Sequence, residues 1–183
     1  QTAMAQAVRE ALGNEKHLLV QAGTGTGKSL GYLVPSILHQ DRVVVATATL
    51  SLQHQLIERD VPALQQALRK AKRMPPKVAV LKGRSNYACL RKVRDGVAEQ
   101  ESLFDDDIGK LGAEVLALRE WVESESETRG TGEREEAPSH TDASWRQVSV
   151  SARECVGASR CQFGAECFAE LAREEANSAS LVI

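Results

Sequence analysis

The segment AGTGTGKS, residues 22–29, combines three glycines with a lysine and a hydroxyl group, the residue types that bind phosphates. Glycine lets the backbone approach a ligand closely, so that successive amide N–H groups can point at an anion. In this pattern Lys28 reaches the β- and γ-phosphates of a nucleotide and the Ser29 hydroxyl ligates Mg²⁺. The pattern predicts a nucleoside-triphosphate site without indicating the reaction. The predicted binding set is Ala22, Gly23, Thr24, Gly25, Thr26, Gly27, Lys28 and Ser29.

The cysteines form a second candidate site. Three of them lie in CVGASRCQFGAEC, with five residues between successive cysteines, and the fourth lies far upstream in NYACL. Zinc ligands usually come in pairs two to four residues apart, and the chain has no such pair. A [4Fe–4S] cluster takes four thiolates around a larger group. Spacing alone favours the cluster, with zinc and unliganded buried thiols as open alternatives. The candidate ligands are Cys89, Cys155, Cys161 and Cys167.

The net charge of −2 conceals a strong asymmetry along the chain. Residues 61–94 contain ten basic residues and no acidic one, whereas residues 95–183 contain eight basic and twenty acidic residues. Such a block indicates a local polyanion site, with a solvated helix face as the alternative. No apolar run approaches the ~18 residues of a membrane span, and no signal peptide is recognisable. We therefore expect a cytoplasmic protein, or a nuclear one if the source is eukaryotic, in which thiols stay reduced.

Strands and helices must position these residues. Apolar, β-branched runs predict strands at residues 17–22, 41–48, 77–83 and 178–183. Apolar residues at helical spacing predict helices at residues 2–12, 28–39, 50–60, 62–73, 106–124 and 165–177. The alternation of strands and helices predicts an α/β fold with a parallel sheet and right-handed crossovers.

The alternation stops after the third strand and resumes only at the last one. Residues 84–170 are therefore predicted to be an insertion between residues 1–83 and 171–183. Within the insertion, residues 122–144 are acidic and polar and predict a surface loop. The chain starts inside a helix and stops inside an apolar strand, so we expect it to be a fragment of a longer protein.

These motifs together resemble one family, the superfamily 2 DNA helicases with an iron–sulfur domain, of the DinG/XPD type. The bacterial DinG-like branch is the most similar. Gln1 with Met4 resembles the family's adenine-reading Q-x-x-M, and residues 21–35 resemble its ATP-binding motif, in which alanine is common at the place of Ala22. Residues 81–90 resemble the entry to the iron–sulfur domain, and residues 155–168 resemble the segment with its last three cluster ligands.

Residues 43–56 resemble a further motif, whose threonines and glutamine lie near the DNA backbone in the family. The resemblance thereby implies DNA contacts for Thr47, Thr49 and Gln53. Arg84 joins these candidates from the basic block, which could line a groove that follows phosphates. That block comprises Arg69, Lys70, Lys72, Arg73, Lys77, Lys82, Arg84, Arg91, Lys92 and Arg94.

The resemblance implies a RecA-like parallel sheet, part of the first motor domain, with an inserted and mostly helical [4Fe–4S] domain. It further implies a monomeric bacterial enzyme that uses ATP and Mg²⁺, with Lys28 and Ser29 as catalytic residues. Its substrate would be single-stranded or forked DNA, and its activity would be 5′–3′ movement and duplex separation in DNA repair or replication. Asp105–Asp107 follow no predicted strand, so they do not fit the family's acidic Mg²⁺ motif. We therefore expect the fragment alone not to hydrolyse ATP at a useful rate.

Two other functions remain open at this point. One is a nucleotide-gated nucleic-acid-binding or redox-sensing iron–sulfur module that does not unwind DNA. The other is a phosphate-loop kinase or small-molecule ATPase with a zinc-binding insertion.

Overall fold

The structure is a computed structural model that describes residues 1–23, 25–96 and 109–183. The described chain divides into two compact units. Unit 1 comprises Gln1–Leu81 and Glu175–Ile183, and unit 2 comprises Lys82–Glu174. Within the described ranges, no helix is long and apolar enough to cross a membrane.

A small parallel sheet lies in unit 1. Its strands are β1, Val43–Val44, β2, Val78–Ala79, and β3, Leu181–Val182. β3 lies between the other two, and Leu181 is opposite both Val43 and Val78. The last strand in sequence is thus the middle strand in space. The predicted parallel α/β arrangement, in which the sheet resumes after a long excursion of the chain, is confirmed.

Helices of unit 1 pack around this sheet. Leu33, Leu56 and Leu181 are almost completely buried between them. The two helices predicted at residues 50–60 and 62–73 form one unbroken helical run, because a π-helical turn joins them. Proline is tolerated in the first turn of the second helix, since the N–H that it lacks has no partner there. The elements are α1, Thr2–Gly13, α2, Lys28–Leu38, α3, Leu50–Gln55, the π turn Leu56–Asp60, and α4, Val61–Lys70.

Residues 17–22 form no strand, so this prediction is wrong for the structure as described. The Leu19 side chain is fully exposed, and Leu18 and Val20 are also exposed. A strand exists only where a neighbour takes up its backbone hydrogen bonds. None of the three described strands pairs with these residues. An apolar run therefore gave the right composition for a strand, but the pairing partner decides whether the strand forms.

Unit 2 is mostly helical and has its own aromatic core. Trp145 and Tyr87 are each 2% exposed and pack with Leu118 and Val122. Isolated antiparallel bridges pair Tyr87 with Glu133 and Ala88 with Ser149. The elements are a 3₁₀ turn at Arg84–Asn86, α5, Leu90–Asp95, α6, Lys110–Thr128, a 3₁₀ turn at Arg134–Glu136, α7, Asp142–Val148, 3₁₀ turns at Ala158–Arg160 and Gly164–Glu166, and α8, Phe168–Ser178, whose last residues belong to unit 1.

The acidic loop predicted at residues 122–144 needs correction at both ends. α6 continues to Thr128, and α7 begins at Asp142. α6 buries one narrow stripe that includes Val122, while its other faces carry the glutamates and serines that suggested a loop. Just beyond this segment, the Trp145 indole donates a hydrogen bond to the Ser85 carbonyl at 2.7 Å. The triad Asp105–Asp107 lies outside the described residues.

Candidate functional site

The glycine-rich loop runs directly into the N-terminus of α2. Gly25 and Gly27 have φ of 73° and 72°, a left-handed conformation that side chains disfavour. Gly27 is the residue that caps α2. The first N–H groups of a helix and its dipole favour an anion at this end. The described loop residues therefore have the backbone geometry of an anion site, and Thr24 lies outside the described residues.

The polar side chains of the loop bind the loop's own backbone. The Lys28 ammonium donates to the Ala22 carbonyl at 2.8 Å, and the Thr26 hydroxyl donates to the Gly23 carbonyl at 2.9 Å. Lys28 and Ser29 are both half-buried. Phosphate oxygens could replace the Ala22 carbonyl as acceptors for Lys28 without a change in the helix that carries it.

α1 brings a further predicted site residue to this loop. The Gln1 side-chain amide donates to the Thr26 carbonyl at 3.3 Å, and a Cβ at Gly27 would overlap that amide. One turn into α2, a Cβ at Gly31 would lie 2.8 Å from the Met4 sulfur. The two glycines thus allow α1 to pack closely on α2, and this packing places Gln1 on the phosphate loop.

The predicted DNA-contact residues of unit 1 differ in their surroundings. Thr49 caps α3 and accepts a hydrogen bond from the Leu52 N–H at 3.2 Å, while the Thr47 hydroxyl donates to the Thr49 carbonyl. Gln53 is 5% exposed, and its amide donates to the carbonyls of Ile183 at 2.9 Å and Leu81 at 3.3 Å. Thr49 is exposed at the surface, whereas Gln53 joins the carboxyl ends of β2 and β3.

All four cysteines line one cavity of about 440 Å³ in unit 2. Each thiol is free and half-buried. Four cations, Arg84, Arg91, Lys92 and Arg119, line the same cavity together with two carboxylates, Asp95 and Glu154, so basic side chains outnumber acidic ones around the sulfur atoms. In the parts of the chain that the structure describes, no close group of three or more His, Cys, Asp or Glu side chains could hold a single metal ion. Cys155 and Cys167 lie near enough to Cys89 for their charges to act on its thiol.

The even spacing of the last three cysteines has a structural origin. One 3₁₀ turn, Ala158–Arg160, occupies the first interval, and a second, Gly164–Glu166, occupies the next. The two turns pack against each other so closely that a Cβ at Gly164 would overlap the Ala158 carbonyl. Cys167 then immediately precedes α8. Each five-residue interval is thus one compact turn that returns the chain to the cavity.

Cys89 reaches the cavity from a different direction. Its N–H donates to the Val148 carbonyl at 2.8 Å, next to the Ala88–Ser149 bridge, and it caps α5. Burial raises the pKa of the Cys89 thiol above its ordinary value. A nearby cation or metal centre would offset this effect by stabilising the thiolate.

An arginine bracket, which we define as Arg94 with Glu123, Phe163 and Glu166, holds the last cysteine loop. Arg94 donates to both oxygens of Glu123, at 2.7 and 3.0 Å, and lies 3.4 Å from Glu166. Its guanidinium also lies 5.1 Å from the centre of the Phe163 ring. The Arg94 hydrogen bond lowers the pKa of Glu123. The bracket ties α5 and α6 to the segment between Cys161 and Cys167.

Sequence reasoning missed this bracket and also the partner of Arg84. Arg84 forms an ion pair with Glu170, its side chain is 12% exposed, and the Glu170 hydrogen bond raises its pKa. The basic block indicated only a common surface for these arginines. The sequence places Glu166 next to Cys167, which suggests an ion pair near the cysteines. It does not reveal that the partner of Glu166 is Arg94.

Comparisons with known proteins agree with the geometry of the phosphate loop. Residues 2–98 match the DEAD/DEAH box helicase family. The chain belongs to this family. The ATP-dependent helicase DinG of Mycobacterium tuberculosis is 47% identical over the whole chain, which covers 29% of that protein. The ATP-dependent DNA helicase YoaA of Escherichia coli is 34% identical over the whole chain, which covers 27% of it.

These relatives place the chain in the DinG-like part of the DEAD/DEAH box helicases. The ATP-dependent DNA helicase DinG of Escherichia coli is 28% identical over 92% of the chain, which covers 24% of that protein. The chain thus spans 24% to 29% of the length of these three curated relatives. The predicted resemblance to the DinG-like branch is confirmed.

Proposed function

We propose that the protein is an ATP-dependent DNA helicase that couples ATP hydrolysis to 5′–3′ movement along one strand and to duplex separation. The observation that carries this proposal is the phosphate loop, in which two left-handed glycines lead into α2 and Lys28 is the first residue of that helix, in a chain of the DEAD/DEAH box family. The printed names of the relatives, ATP-dependent helicases and DNA helicases, support the reaction and the substrate. We place its action in DNA repair or replication, as a monomer in the bacterial cytoplasm.

The loop residues would have different roles in nucleotide binding and hydrolysis. Backbone N–H groups between Ala22 and Lys28 would bind the phosphates, and Gln1 lies where it could contact the base. Lys28 would neutralise charge that builds on the transferred phosphoryl group. Ser29 would hold Mg²⁺, which supplies further neutralisation when bound.

We further propose that the cysteine cavity holds a [4Fe–4S] cluster on Cys89, Cys155, Cys161 and Cys167. Four free thiols around one cavity supply the donor set that such a cluster needs, and the surrounding cations suit a group that carries four thiolates. Intervals of five residues between ligands fit a larger group better than a single zinc ion, whose ligands usually come in pairs two to four residues apart. When bound, the cluster would cross-link distant segments and stiffen unit 2.

The domain assignment follows from these two proposals. Residues 1–83 and 171–183 would belong to the RecA-like first motor domain, and residues 84–170 would form the inserted iron–sulfur domain. The division of the chain at Leu81 and Glu174 supports these boundaries within a few residues. Among the DNA-contact candidates, Thr47 and Thr49 are the favoured pair, because Thr49 is exposed and Thr47 is half-buried. Gln53 is buried, and the largely buried guanidinium of Arg84 forms an ion pair with Glu170.

Strand separation tests the proposed reaction directly. The protein at its full natural length should release the labelled strand of a duplex with a single-stranded 5′ tail, only when ATP and Mg²⁺ are present. Lys28→Ala should abolish release and lower DNA-stimulated ATP hydrolysis by about a hundredfold or more, because phosphoryl charge loses its fixed cation. If the wild-type protein binds DNA and ATP but neither moves nor unwinds, the nucleotide-gated binding or redox-sensing module is the correct function.

A further inference from the structure

The basic block of residues 69–94 separates into two chemically different halves in the structure. The half in unit 2 is engaged by intramolecular partners throughout. Lys82 lies 2.6 Å from Glu133 and 2.8 Å from Glu135, and Lys92 donates to the carbonyls of Arg146 and Ser149. The other pairs of this half are Arg84 with Glu170, Arg91 with Asp95, and Arg94 with Glu123.

The half in unit 1 is exposed and unpaired. All of its cations are exposed at the surface, and within the described residues none of them lies in an ion pair. Lys77 donates to the Ser178 hydroxyl at 2.6 Å, a neutral partner that does not offset the charge of the ammonium group. We call this half the α4 basic patch; it consists of Arg69, Lys70, Lys72, Arg73 and Lys77.

The backbone that carries the patch is held in place by hydrogen bonds. The Arg73 N–H donates to the Leu68 carbonyl at 2.9 Å, and the Lys72 N–H donates to the Arg69 carbonyl at 3.0 Å. These two bonds form a Schellman motif at the end of α4. Gln65 also donates to the Pro76 carbonyl at 3.4 Å. The cations therefore project from an ordered turn, which lowers the entropy that a ligand must remove on binding.

Stabilisation of the helix dipole explains only part of this arrangement. Arg69 and Lys70 lie in the last turn of α4, where cations interact favourably with the C-terminus. Lys72, Arg73 and Lys77 lie beyond that turn, where the effect has fallen off. Lys72 has φ of 57°, at the position where a Schellman motif prefers glycine. A cation therefore occupies a position that the backbone alone would give to glycine.

We propose that the α4 basic patch binds the phosphodiester backbone of a nucleic acid, independently of base sequence. Five cations that form no ion pair with any described residue, carried by the end of α4, the turn after it and the residue before β2, suit a polyanion with regularly spaced charges. Met74, which is 94% exposed among them, offers an apolar contact that a base or sugar can use. The inference rests on the proposed function, since the relatives named DNA helicases make DNA the polyanion favoured over an acidic protein segment.

Salt-dependent DNA binding tests the patch. The protein at its full natural length is titrated onto a fluorescent single-stranded oligonucleotide of mixed sequence without nucleotide, over a series of salt concentrations. The patch variant is Lys72→Gln with Arg73→Gln. The matched control is Arg9→Gln with Lys16→Gln, which removes the same charges from exposed positions elsewhere in unit 1. Two lost phosphate contacts should flatten the slope of log affinity against log salt by about 1.4 and weaken binding about tenfold at low salt.

Lys72→Gly separates a binding role from a role in folding. Glycine suits the left-handed position, so this variant should melt no earlier than the wild type, while its salt slope should flatten by about 0.7. Unchanged slopes in both patch variants would overturn the proposal and leave an acidic protein segment as the occupant. Equal losses in the control would overturn it as well, because net charge would then be the cause. If the wild-type protein binds no DNA, the proposed function itself is contradicted.

Discussion

The phosphate loop of unit 1 and the cysteine cavity of unit 2 differ in how far apart in sequence their residues lie. The loop relies on backbone geometry within a short stretch of sequence. The described side chains of Thr26 and Lys28 donate to carbonyls of the loop itself, and Gln1 donates to the Thr26 carbonyl. The cavity relies on side chains from segments far apart in sequence, and ion pairs such as that between Arg94 and Glu123 hold those segments together. The comparison indicates that a nucleotide site can form locally, whereas a thiolate site requires a folded frame.

The largest expected effect is that a substitution at one site abolishes the ligand of that site and leaves the ligand of the other site bound. Cys161→Ser should remove most of the iron from the full-length protein, because a cluster that loses one of its four thiolates is poorly held. The same variant should bind nucleotide as the wild type does. Iron and sulfide analysis together with nucleotide titration measure both properties.

Lys28→Ala is the matched control for that experiment. It should retain iron and lose most of its affinity for ATP. Comparable loss of nucleotide binding in Cys161→Ser would show that the two sites are not independent, and the comparison would then fail.

A moderate effect is expected at the arginine bracket. Arg94→Ala should free the segment between Cys161 and Cys167, which costs roughly 1 kcal/mol for a partly exposed ion pair, or about fivefold in local opening. Alkylation of Cys161 and Cys167 in the iron-free protein should therefore be about five times faster, with little change at Cys89, which lies outside that segment.

Arg94→Lys sharpens this test because lysine keeps the charge but cannot bind both oxygens of Glu123. It should restore slow alkylation only in part. Arg146→Ala removes an exposed arginine of α7 and serves as the control. Equal alkylation rates in Arg94→Ala and the wild type would show that the arginine bracket does not hold the segment between Cys161 and Cys167.

The smallest effect concerns the link between α6 and α7. Glu114 accepts hydrogen bonds from Ser144 and Thr141, and these bonds lower its pKa. A carboxylate with a lowered pKa stabilises the fold above its ordinary titration range, and that stabilisation is lost as the pH falls through the lowered value. Glu114→Gln should therefore unfold more easily than the wild type at neutral pH, and the difference should shrink on acidification.

Denaturant unfolding at several pH values measures this difference. Glu120→Gln, an exposed substitution on the same helix, is the control and should change stability much less. A difference between Glu114→Gln and the wild type that stays constant from neutral to acidic pH would contradict the assignment.

The sequence predicted best what depends on neighbouring residues. The phosphate loop, α2 and the parallel sheet that resumes at the last strand follow from local patterns and from the alternation of elements. Long-range contacts decided the rest. Residues 17–22 are apolar but have no pairing partner among the described strands. Trp145 is buried in the core of unit 2, although it directly follows a polar segment. Arg94 forms ion pairs with Glu123 and Glu166, which no local sequence pattern connects to it.

The number of base pairs separated per ATP hydrolysed tests the proposed function most directly. In that proposal, unit 1 would drive movement along DNA, and the cluster-bearing unit 2 would help to separate the strands. This number is measured on one tailed duplex with the wild type and Cys161→Ser at full length. The account predicts that Cys161→Ser keeps DNA-stimulated ATP hydrolysis but separates far fewer base pairs per ATP. An iron-free Cys161→Ser protein that separates as many base pairs per ATP as the wild type would contradict it.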